Sequence, residues 1–325
     1  MMFWSVRETL LLLAAAIVID WCVGDPPRLP HPVVGIGKLI GLLERLLLRG
    51  SGSRTVTRLK GAVLALTVVA ATALLMWGLC LLAYRIHPWA GFAVNAWFIS
   101  TTIAVKGLKD AAMLVYEPLR QGDLALARKM VGRIVGRDTD GLEEREVARA
   151  AVETVAENTV DAFVAPLFFA LIGAAPLAML YRAANTLDSM VGYKNEKYRD
   201  FGWASARLDD ALNWIPARVT GALLALTAAC SRNASGRRAW RAIRAFAHLH
   251  PSPNSGIPEA AVAGALGVEL GGTNRYGGVV SERARLGWPL RPLEADDIVR
   301  TVRLMYGVSC WLAGGLLCVW LSLEL

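Results

Sequence analysis

The sequence predicts an all-α, polytopic integral membrane protein: a helical bundle with broken or re-entrant helices and polar catalytic loops. Of its 325 residues, 55% are hydrophobic and only 19% are charged, and the mean hydropathy is +0.41. Soluble chains average about 25% charged residues. Several uncharged segments also approach the roughly 20 residues that a transmembrane helix needs. The composition excludes a disordered chain and argues against an ordinary cytosolic globule.

Three apolar segments are long enough to span a bilayer without help: 61–84, 162–181 and 304–323, none of which contains a charged residue. Segment 89–105 is barely long enough and is expected to form a hairpin with the helix before it. Segment 211–231 contains Pro216 and Arg218, so we expect it to be broken or partly covered by protein.

The first apolar run, 9–23, is interrupted by Asp20 and lacks a small-residue cleavage site, so it is interpreted as a retained helix. The formal net charge is +8, and the basic residues form two clusters. They are Arg45, Arg49, Arg54, Arg58 and Lys60, then Arg232, Arg237, Arg238, Arg241 and Arg244. Because positive residues mark cytoplasmic flanks, both clusters are expected in the cytoplasm.

This charge pattern predicts a single membrane-embedded domain over 1–325, multi-pass in the cytoplasmic (inner) membrane, with cytoplasmic polar segments at 106–161 and 232–303. The lipid bilayer is the expected partner, nucleic acid is not, and a homo-oligomer is left open. The five cysteines form no CxxC pair, which argues against a disulfide scaffold or a zinc site.

Four polar blocks interrupt the apolar pattern. The first, GDPPRLPHPVVGIGK, places Asp25, Arg28 and His31 on an extended, proline-rich strip that forbids a helix before Val33. The alternative is a rigid interfacial turn. The second runs from GRDTD into LEEREVARAAVETVAENTVDAF, where Asp140 and Glu143 predict a capping box and a helix start.

Along that helix charged residues recur every fourth position: Arg145, Arg149, Glu153, Glu157 and Asp161. An exposed ion-pair face is the ordinary interpretation. The last carboxylates, however, stop where a lipid-length segment begins, and oxygen ligands at such a boundary suit Mg²⁺.

The third block, NTLDSMVGYKNEKYRDFGWASARLDD, mixes charged and amide side chains with four aromatic residues. The charged and amide set includes Asn185, Asp188, Lys194, Arg207, Asp209 and Asp210. Such a mixture suits a site for a large flat ligand with an anionic group. An amphipathic interfacial helix with an aromatic belt is the alternative.

The fourth block, HPSPNSGIPEAAVAGALGVELGGTNRYGG, predicts a helix start at Pro258. Free backbone amides before it, around Asn254, Ser255 and Gly256, would make an anion site. GGTNRYGG would add a flexible cradle with Arg275. Neither string is a Walker A loop or a GxGxxG fingerprint.

In this order the four blocks, which extend over 24–278, resemble the adenosylcobinamide-phosphate synthase family of cobalamin biosynthesis. The matching strings include GDPPRLPHPVVGIGK, VGRDTD, AAVETVAENTVDAFVAPLF, NWIPAR and HPSPNSGIPEAAVAGALGVELGG. A glycine expected near Asp161 is absent here. The resemblance implies an integral membrane amide ligase that uses ATP. It would join aminopropanol, or its phosphate, to the propionate carboxylate of adenosylcobyric acid.

Amide formation from a carboxylate requires an activated oxygen, Mg²⁺ with ATP, and a neutral amine. The residues in the matching strings therefore divide by chemistry. Predicted metal ligands are Glu153, Glu157, Asp161, Asp209 and Asp210. Predicted nucleotide and phosphate contacts are Asn185, Asp188, Arg207, Asn254, Ser255, Gly256 and Arg275. Predicted catalytic residues are His250 and Glu259, either of which could take the proton of the amine, and Lys194 at the phosphoryl group.

Two rival functions remain, a polytopic transporter and a lipid-linked phosphotransferase. A transporter predicts inverted halves, which the spacing of spans does not show. Counting spans also places 185–210 on the side of the membrane opposite the cytoplasm, although ATP is in the cytoplasm. We therefore expect that 162–181 and 211–231 do not both cross as plain helices, because Pro166, Gly173 and Pro176 break the first and Pro216 the second.

Overall fold

The computed structural model describes residues 5–26, 31–48, 53–193 and 195–323. These residues form thirteen α-helices and one β-hairpin. The first seven helices are α1 (Val6–Cys22), α2 (Pro32–Leu47), α3 (Arg54–Ile86), α4 (Pro88–Ser100), α5 (Val105–Arg120), α6 (Leu124–Val131) and α7 (Glu144–Thr159). The others are α8 (Ala165–Val191), α9 (Trp203–Leu212), α10 (Trp214–Ala229), α11 (Gly236–Phe246), α12 (Gly256–Leu266) and α13 (Asp296–Ser322). The strands are β1 (Leu270–Tyr276) and β2 (Val279–Leu286), which pair antiparallel. The prediction of a helical membrane protein is confirmed.

The chain divides into two compact units. The first comprises the described parts of Met1–Ala104, Ala165–Asn213 and Gly315–Leu325, and the second comprises Val105–Val164 and Trp214–Gly314. Both predicted polar segments, 106–161 and 232–303, fall within the second unit.

Three helical runs in the described chain are long and apolar enough to cross a membrane: Arg54–Ile86, Glu144–Val191 and Asp296–Ser322. The first two contain predicted segments 61–84 and 162–181, and the third covers segment 304–323 except for its last residue. α4 has 13 residues and α10 has 16, fewer than the roughly 20 that a plain span requires. The expectation that 211–231 is not a full-length span is consistent with the short α10.

The second long run is broken, as Gly173 and Pro176 predict. Val160–Val164 forms a π-helical turn, and further along Gly173 and Ala174 leave the helical conformation, Ala174 with φ of 52°. The buried side chain of Asn95 accepts a hydrogen bond from the Ala175 amide at 3.3 Å. Since a helix break releases backbone groups that need partners, Asn95 satisfies a donor at this break.

α3 is the centre of the first unit, where it packs against α4, α8 and α9. The predicted hairpin of α3 with the following short helix is confirmed. Gly61 lets the backbone of Phe201 approach α3, because a Cβ at this position would lie 1.8 Å from the Phe201 carbonyl oxygen. The aromatic third block is thereby fixed against the long apolar helix.

α12 is the centre of the second unit. Every residue from Gly256 to Leu266 is buried, and α7, α10 and α11 pack around it. α12 ends at Gly267 in the left-handed conformation, with φ of 68°, which glycine adopts without strain.

Two local predictions are wrong. α7 begins at Glu144 with Glu143 as an N-cap that makes no side-chain capping bond, not at Asp140. The Leu142 amide instead donates to the Thr139 carbonyl and closes a turn. GGTNRYGG is not a flexible cradle but β1 and the tip of a hairpin, with Gly277 and Gly278 at the turn.

Candidate active site

The candidate active site lies in the second unit, around the one ionisable residue of α12. Glu259 stands among ten uncharged residues of that helix, and its side chain is 3% exposed. Burial raises the pKa of Glu259 well above its usual value, and the charges of Glu153 and Glu157 raise it further. A carboxyl in this environment is a stronger base than an ordinary glutamate.

His250 faces Glu259 from the segment before α12. Its Nε2 lies 3.7 Å from Glu259 Oε1 and has no hydrogen-bond partner among the described residues. The Ser252 amide donates to Nδ1 at 3.0 Å. Nδ1 also lies 3.3 Å from the Ser252 carbonyl oxygen. The amide contact is the shorter of the two, and on that geometry Nδ1 is the acceptor and Nε2, which faces Glu259, carries the proton of the neutral ring.

The charge state of His250 follows from its surroundings. Burial lowers the pKa of His250, and the Arg283 guanidinium lowers it further. The ring is therefore neutral near pH 7, and its Nε2 faces Glu259 beyond hydrogen-bond distance. His250 and Glu259, both predicted as catalytic, are adjacent in the structure.

A small polar cavity of about 140 Å³ opens beside Glu259. Glu157 and Asn158 line it from α7, and Arg137 and Arg283 contribute guanidinium groups. The Ser255 hydroxyl donates to Glu157 Oε1 at 2.9 Å. The cavity thus combines carboxylate oxygens with two cations and has a buried acid at its wall.

Next to the cavity, a buried ion-pair network fixes α7 to the β-hairpin. Glu153 pairs with Arg137 at 2.9 Å and Arg149 at 3.3 Å, and it accepts the Gly271 amide at 2.8 Å. Asn274 Oδ1 accepts from both arginines. Because two guanidinium groups and an amide already occupy its oxygens, Glu153 is a structural anchor here.

Asp138 holds the tip of the hairpin. Its two oxygens accept the amides of Gly277, at 2.9 Å, and Gly278, at 2.7 Å, and its own amide donates to the Arg275 carbonyl at 2.8 Å. These backbone hydrogen bonds lower the pKa of Asp138. Arg275, predicted to contact phosphate, has its side chain exposed on β1. Its backbone carbonyl is the group that bonds Asp138.

Two of the three backbone amides in the predicted anion site before α12, those of Asn254 and Ser255, are not free. The Asn254 and Ser255 amides donate to the Ser252 hydroxyl at 3.2 and 3.3 Å, and the Ile257 amide donates to the Asn254 carbonyl. A Cβ on Gly256 would lie 2.3 Å from the Ala247 carbonyl oxygen. Gly256 therefore permits close backbone packing, and substituting it would disturb the fold.

The first unit holds a separate, half-buried cluster around Asp209. Its oxygens accept the amide groups of Asn185 at 3.3 Å and Asn213 at 3.0 Å, and Tyr181 donates to Asn213 at 2.8 Å. Burial, with the nearby charge of Asp188, raises the pKa of Asp209 to about 7. The structure thus groups Asn185, Asp188 and Asp209, three of the predicted site residues.

Asp210 borders that cluster, where its charge also raises the pKa of Asp209. Arg207 and Asp210 form an ion pair three residues apart on α9, at 3.3 Å, with Arg207 largely exposed. Lys194 lies outside the described residues. Among those that are described, no group of three or more His, Cys, Asp or Glu side chains is arranged to hold a metal ion.

The first block lines a larger, mostly apolar cavity of about 830 Å³ in the first unit, together with α3 residues such as Thr72 and Met76. His31 Nε2 lies 3.2 Å from Asp25 Oδ1 at its wall, and His31 Nδ1 caps α2 by accepting the Val33 amide. Arg28 lies outside the described residues.

Sequence reasoning missed four residues of the second-unit site: Arg137, Asn274, Tyr276 and Arg283. Arg137 belongs to the quoted GRDTD string, and Asn274 and Tyr276 belong to GGTNRYGG. Arg283 donates to the Tyr276 hydroxyl at 2.8 Å, across the unpredicted hairpin. Only recognition of the strand pairing would have brought Arg283 beside the carboxylates.

Comparison with known proteins identifies the family. The profile of the CobD/Cbib protein family matches residues 13–305. The chain is 51% identical over 295 residues to a cobalamin biosynthesis protein CobD of Halalkalibacterium halodurans, covering 91% of each chain. It is 52% identical to the CobD protein of Geobacter metallireducens, covering 93% of each.

A cobalamin biosynthesis protein CbiB of Salmonella typhimurium is 48% identical over 93% of the chain and 94% of its own length. No solved structure matches the chain. The family resemblance inferred from the four polar blocks is confirmed, because the family profile matches residues 13–305. The chain belongs to the CobD/Cbib family, whose relatives named above are cobalamin biosynthesis proteins.

Proposed function

We propose that this protein is an ATP-dependent amide ligase of cobalamin biosynthesis in the cytoplasmic membrane. It joins the amine of aminopropanol, or of its phosphate, to the propionate carboxylate of adenosylcobyric acid, giving adenosylcobinamide or its phosphate. The observation that carries this proposal is the second-unit cavity, where a buried glutamate and histidine stand beside carboxylates and guanidinium groups.

The residues of this cavity fit the chemistry of ligation. An amine is protonated in water and must lose a proton before its nitrogen can attack a carbonyl carbon. Glu157 supplies negative charge that attracts the ammonium group. Ionised Glu259, with its raised pKa, accepts this proton before the nitrogen attacks. The second amine proton leaves with the departing oxygen group as the C–N bond forms.

His250 acts through Glu259. When Glu259 is ionised, the Nε2–H of the neutral His250 ring faces the carboxylate across 3.7 Å and stabilises its charge. As the C–N bond forms, the activated carboxyl carbon loses its oxygen leaving group with the bonding electron pair. Arg283 lies at the cavity wall and is not paired with Glu153, so its charge stabilises an anionic leaving group.

ATP, when bound, would supply the phosphoryl group that makes the carboxylate oxygen a leaving group. Mg²⁺ would neutralise the negative charge of that phosphoryl group. Hard oxygen donors are the ligands that Mg²⁺ prefers, and Glu157 and the Asn158 side chain offer them at the cavity. Glu153 is not retained among the proposed ligands, because its oxygens already bind Arg137, Arg149 and Gly271.

The purified full-length protein in detergent tests this function. We expect adenosylcobyric acid, ATP, Mg²⁺ and aminopropanol phosphate or aminopropanol to give a product with the mass of the corresponding amide, detected by mass spectrometry. Ethanolamine phosphate in a parallel reaction reports the amine preference, and a reaction without ATP is the control. Unchanged adenosylcobyric acid with every amine would contradict the proposal.

A further inference from the structure

The exposed face of α11 carries a row of arginines. Arg237, Arg241 and Arg244 recur at spacings of four and three residues and are all exposed, so they lie on one side of the helix. None of the three forms an ion pair or a hydrogen bond with any described residue. Trp240 lies between them and is 49% exposed.

The opposite face of α11 fixes the direction of this row. Ala239 and Ala242 are fully buried, and a Cβ on Gly264 of α12 would lie 2.5 Å from the Ala242 Cβ. Arg238 points the other way from the exposed row and donates to the carbonyls of Gly264 and Ala265, both at 3.2 Å. Because the helices pack this closely, α11 cannot rotate to hide its outer arginines.

Three guanidinium groups on adjacent turns repel one another. Such an arrangement is retained at a cost in stability unless an anion binds it. Guanidinium groups bind phosphate oxygens in bidentate geometry. The missing partner of this row is therefore an anionic group, with phosphate as the best match.

Trp240 indicates where that phosphate comes from. Exposing an apolar indole to water is unfavourable. Tryptophan is instead enriched at the head-group level of membranes. α11 also follows closely on the apolar helix α10, in a chain with three membrane-length helical runs. Basic residues and an aromatic residue on one face are the pattern of a helix at a membrane surface.

We propose that Arg237, Arg241 and Arg244, with Trp240, form a binding surface for the head groups of anionic phospholipids. The arginines contact lipid phosphates, and the indole inserts at the depth of the glycerol backbone. This surface is independent of the proposed ligase function, since none of its residues lines the cavity beside Glu259.

Lipid binding by the full-length protein in a neutral detergent tests the proposal. The probes are phosphatidylglycerol and phosphatidylcholine brominated in the acyl chains, which quench tryptophan fluorescence on contact. The quenching lost in a Trp240→Phe variant reports on this site. We expect phosphatidylglycerol to bind about tenfold or more tightly than phosphatidylcholine, and Trp240 to account for part of the quenching.

The variant Arg237→Gln, Arg241→Gln, Arg244→Gln should lose this preference. The matched control, Arg120→Gln, Lys129→Gln, Arg133→Gln, removes the same charge from exposed positions in the same unit and should keep it. Circular dichroism verifies folding, and the single variant Arg241→Gln should show an intermediate affinity if the triple variant is unstable.

Three results would overturn the proposal. Equal loss in both triple variants would mean that net charge alone attracts the lipid. Displacement of the lipid by millimolar inorganic phosphate would make the row a site for a free anion. RNA binding through the same arginines, without a preference among lipids, would make it a nucleic-acid surface.

Discussion

Asp209 in the first unit is half-buried and Glu259 in the second is buried. Both carboxyl groups have a raised pKa, but their neighbours differ. Each oxygen of Asp209 accepts an amide group, from Asn185 or Asn213. Glu259 faces His250 across 3.7 Å and stands beside a cavity. A perturbed pKa therefore does not by itself separate a structural acid from a reactive one. The hydrogen-bond partners and the access to a ligand separate them.

The largest effect should come from replacing each acid by its amide. Glu259→Gln removes the proposed base while keeping the shape of the side chain, so we expect turnover to fall by about 10²–10⁴-fold, the range for general-base catalysis. Asp209→Asn should change turnover by less than about threefold on the same scale. Product formation by mass spectrometry measures both.

Fluorescence or circular dichroism melts of the two variants serve as the control for folding. Equal losses of turnover in both variants at wild-type stability would abolish the distinction between the two acids. Wild-type turnover in Glu259→Gln would leave the second-unit cavity without its proposed base.

A smaller effect should appear in stability. Burial and the charge of Asp188 raise the pKa of Asp209 to about 7, whereas an unfolded aspartate titrates near pH 3.9. Between these values the folded state binds more protons than the unfolded state, so stability falls as pH rises. From pH 5 to pH 8 this loss should reach about 2–3 kcal/mol.

Melting temperatures of the protein in one detergent across pH 5–8 measure this loss. The Asp209→Asn variant cannot ionise at this position, so its melting temperature should fall less over the same range. A wild-type melting temperature that is flat across the range, or a variant with the same slope as wild type, would show that Asp209 does not titrate as described.

The features of the fold and the site that the sequence could predict are those that depend on residues close together in the chain. The three membrane-length segments, the break at Gly173 and the four polar blocks follow from composition and spacing. The apolar string of α12 with a lone Glu259 also marks a buried acid. These features are properties of consecutive residues, which sequence periodicity reports.

The rest depends on contacts between distant residues. The ladder of charges on α7 suggested that Glu153 and Glu157 share a role, but Arg137 from the preceding loop neutralises Glu153 and leaves Glu157 at the cavity. The β-hairpin was missed because its tip is stabilised by Asp138, more than a hundred residues away. The amides before α12 were expected to be free, and the Ser252 hydroxyl occupies two of them.

The smallest effect concerns the predicted Mg²⁺ ligands. Glu157→Gln should raise the Mg²⁺ concentration for half-maximal turnover by about tenfold, because one charged oxygen donor becomes neutral. The matched control is Glu144→Gln, an exposed glutamate at the start of the same helix, which should leave the Mg²⁺ requirement unchanged. Rates over a Mg²⁺ series measure both, and identical curves for the two variants would exclude Glu157 from the metal site.

Coupling between nucleotide and amide formation tests the central claim most directly. ADP is measured in four mixtures of purified protein with ATP and Mg²⁺: no addition, adenosylcobyric acid alone, the amine alone, and both together. The proposed ligase predicts ADP only in the complete mixture, in equal amount to the amide product. Amide formed without ADP, or no amide and no ADP in the complete mixture, would contradict an ATP-dependent ligase, and the second result would favour a transporter.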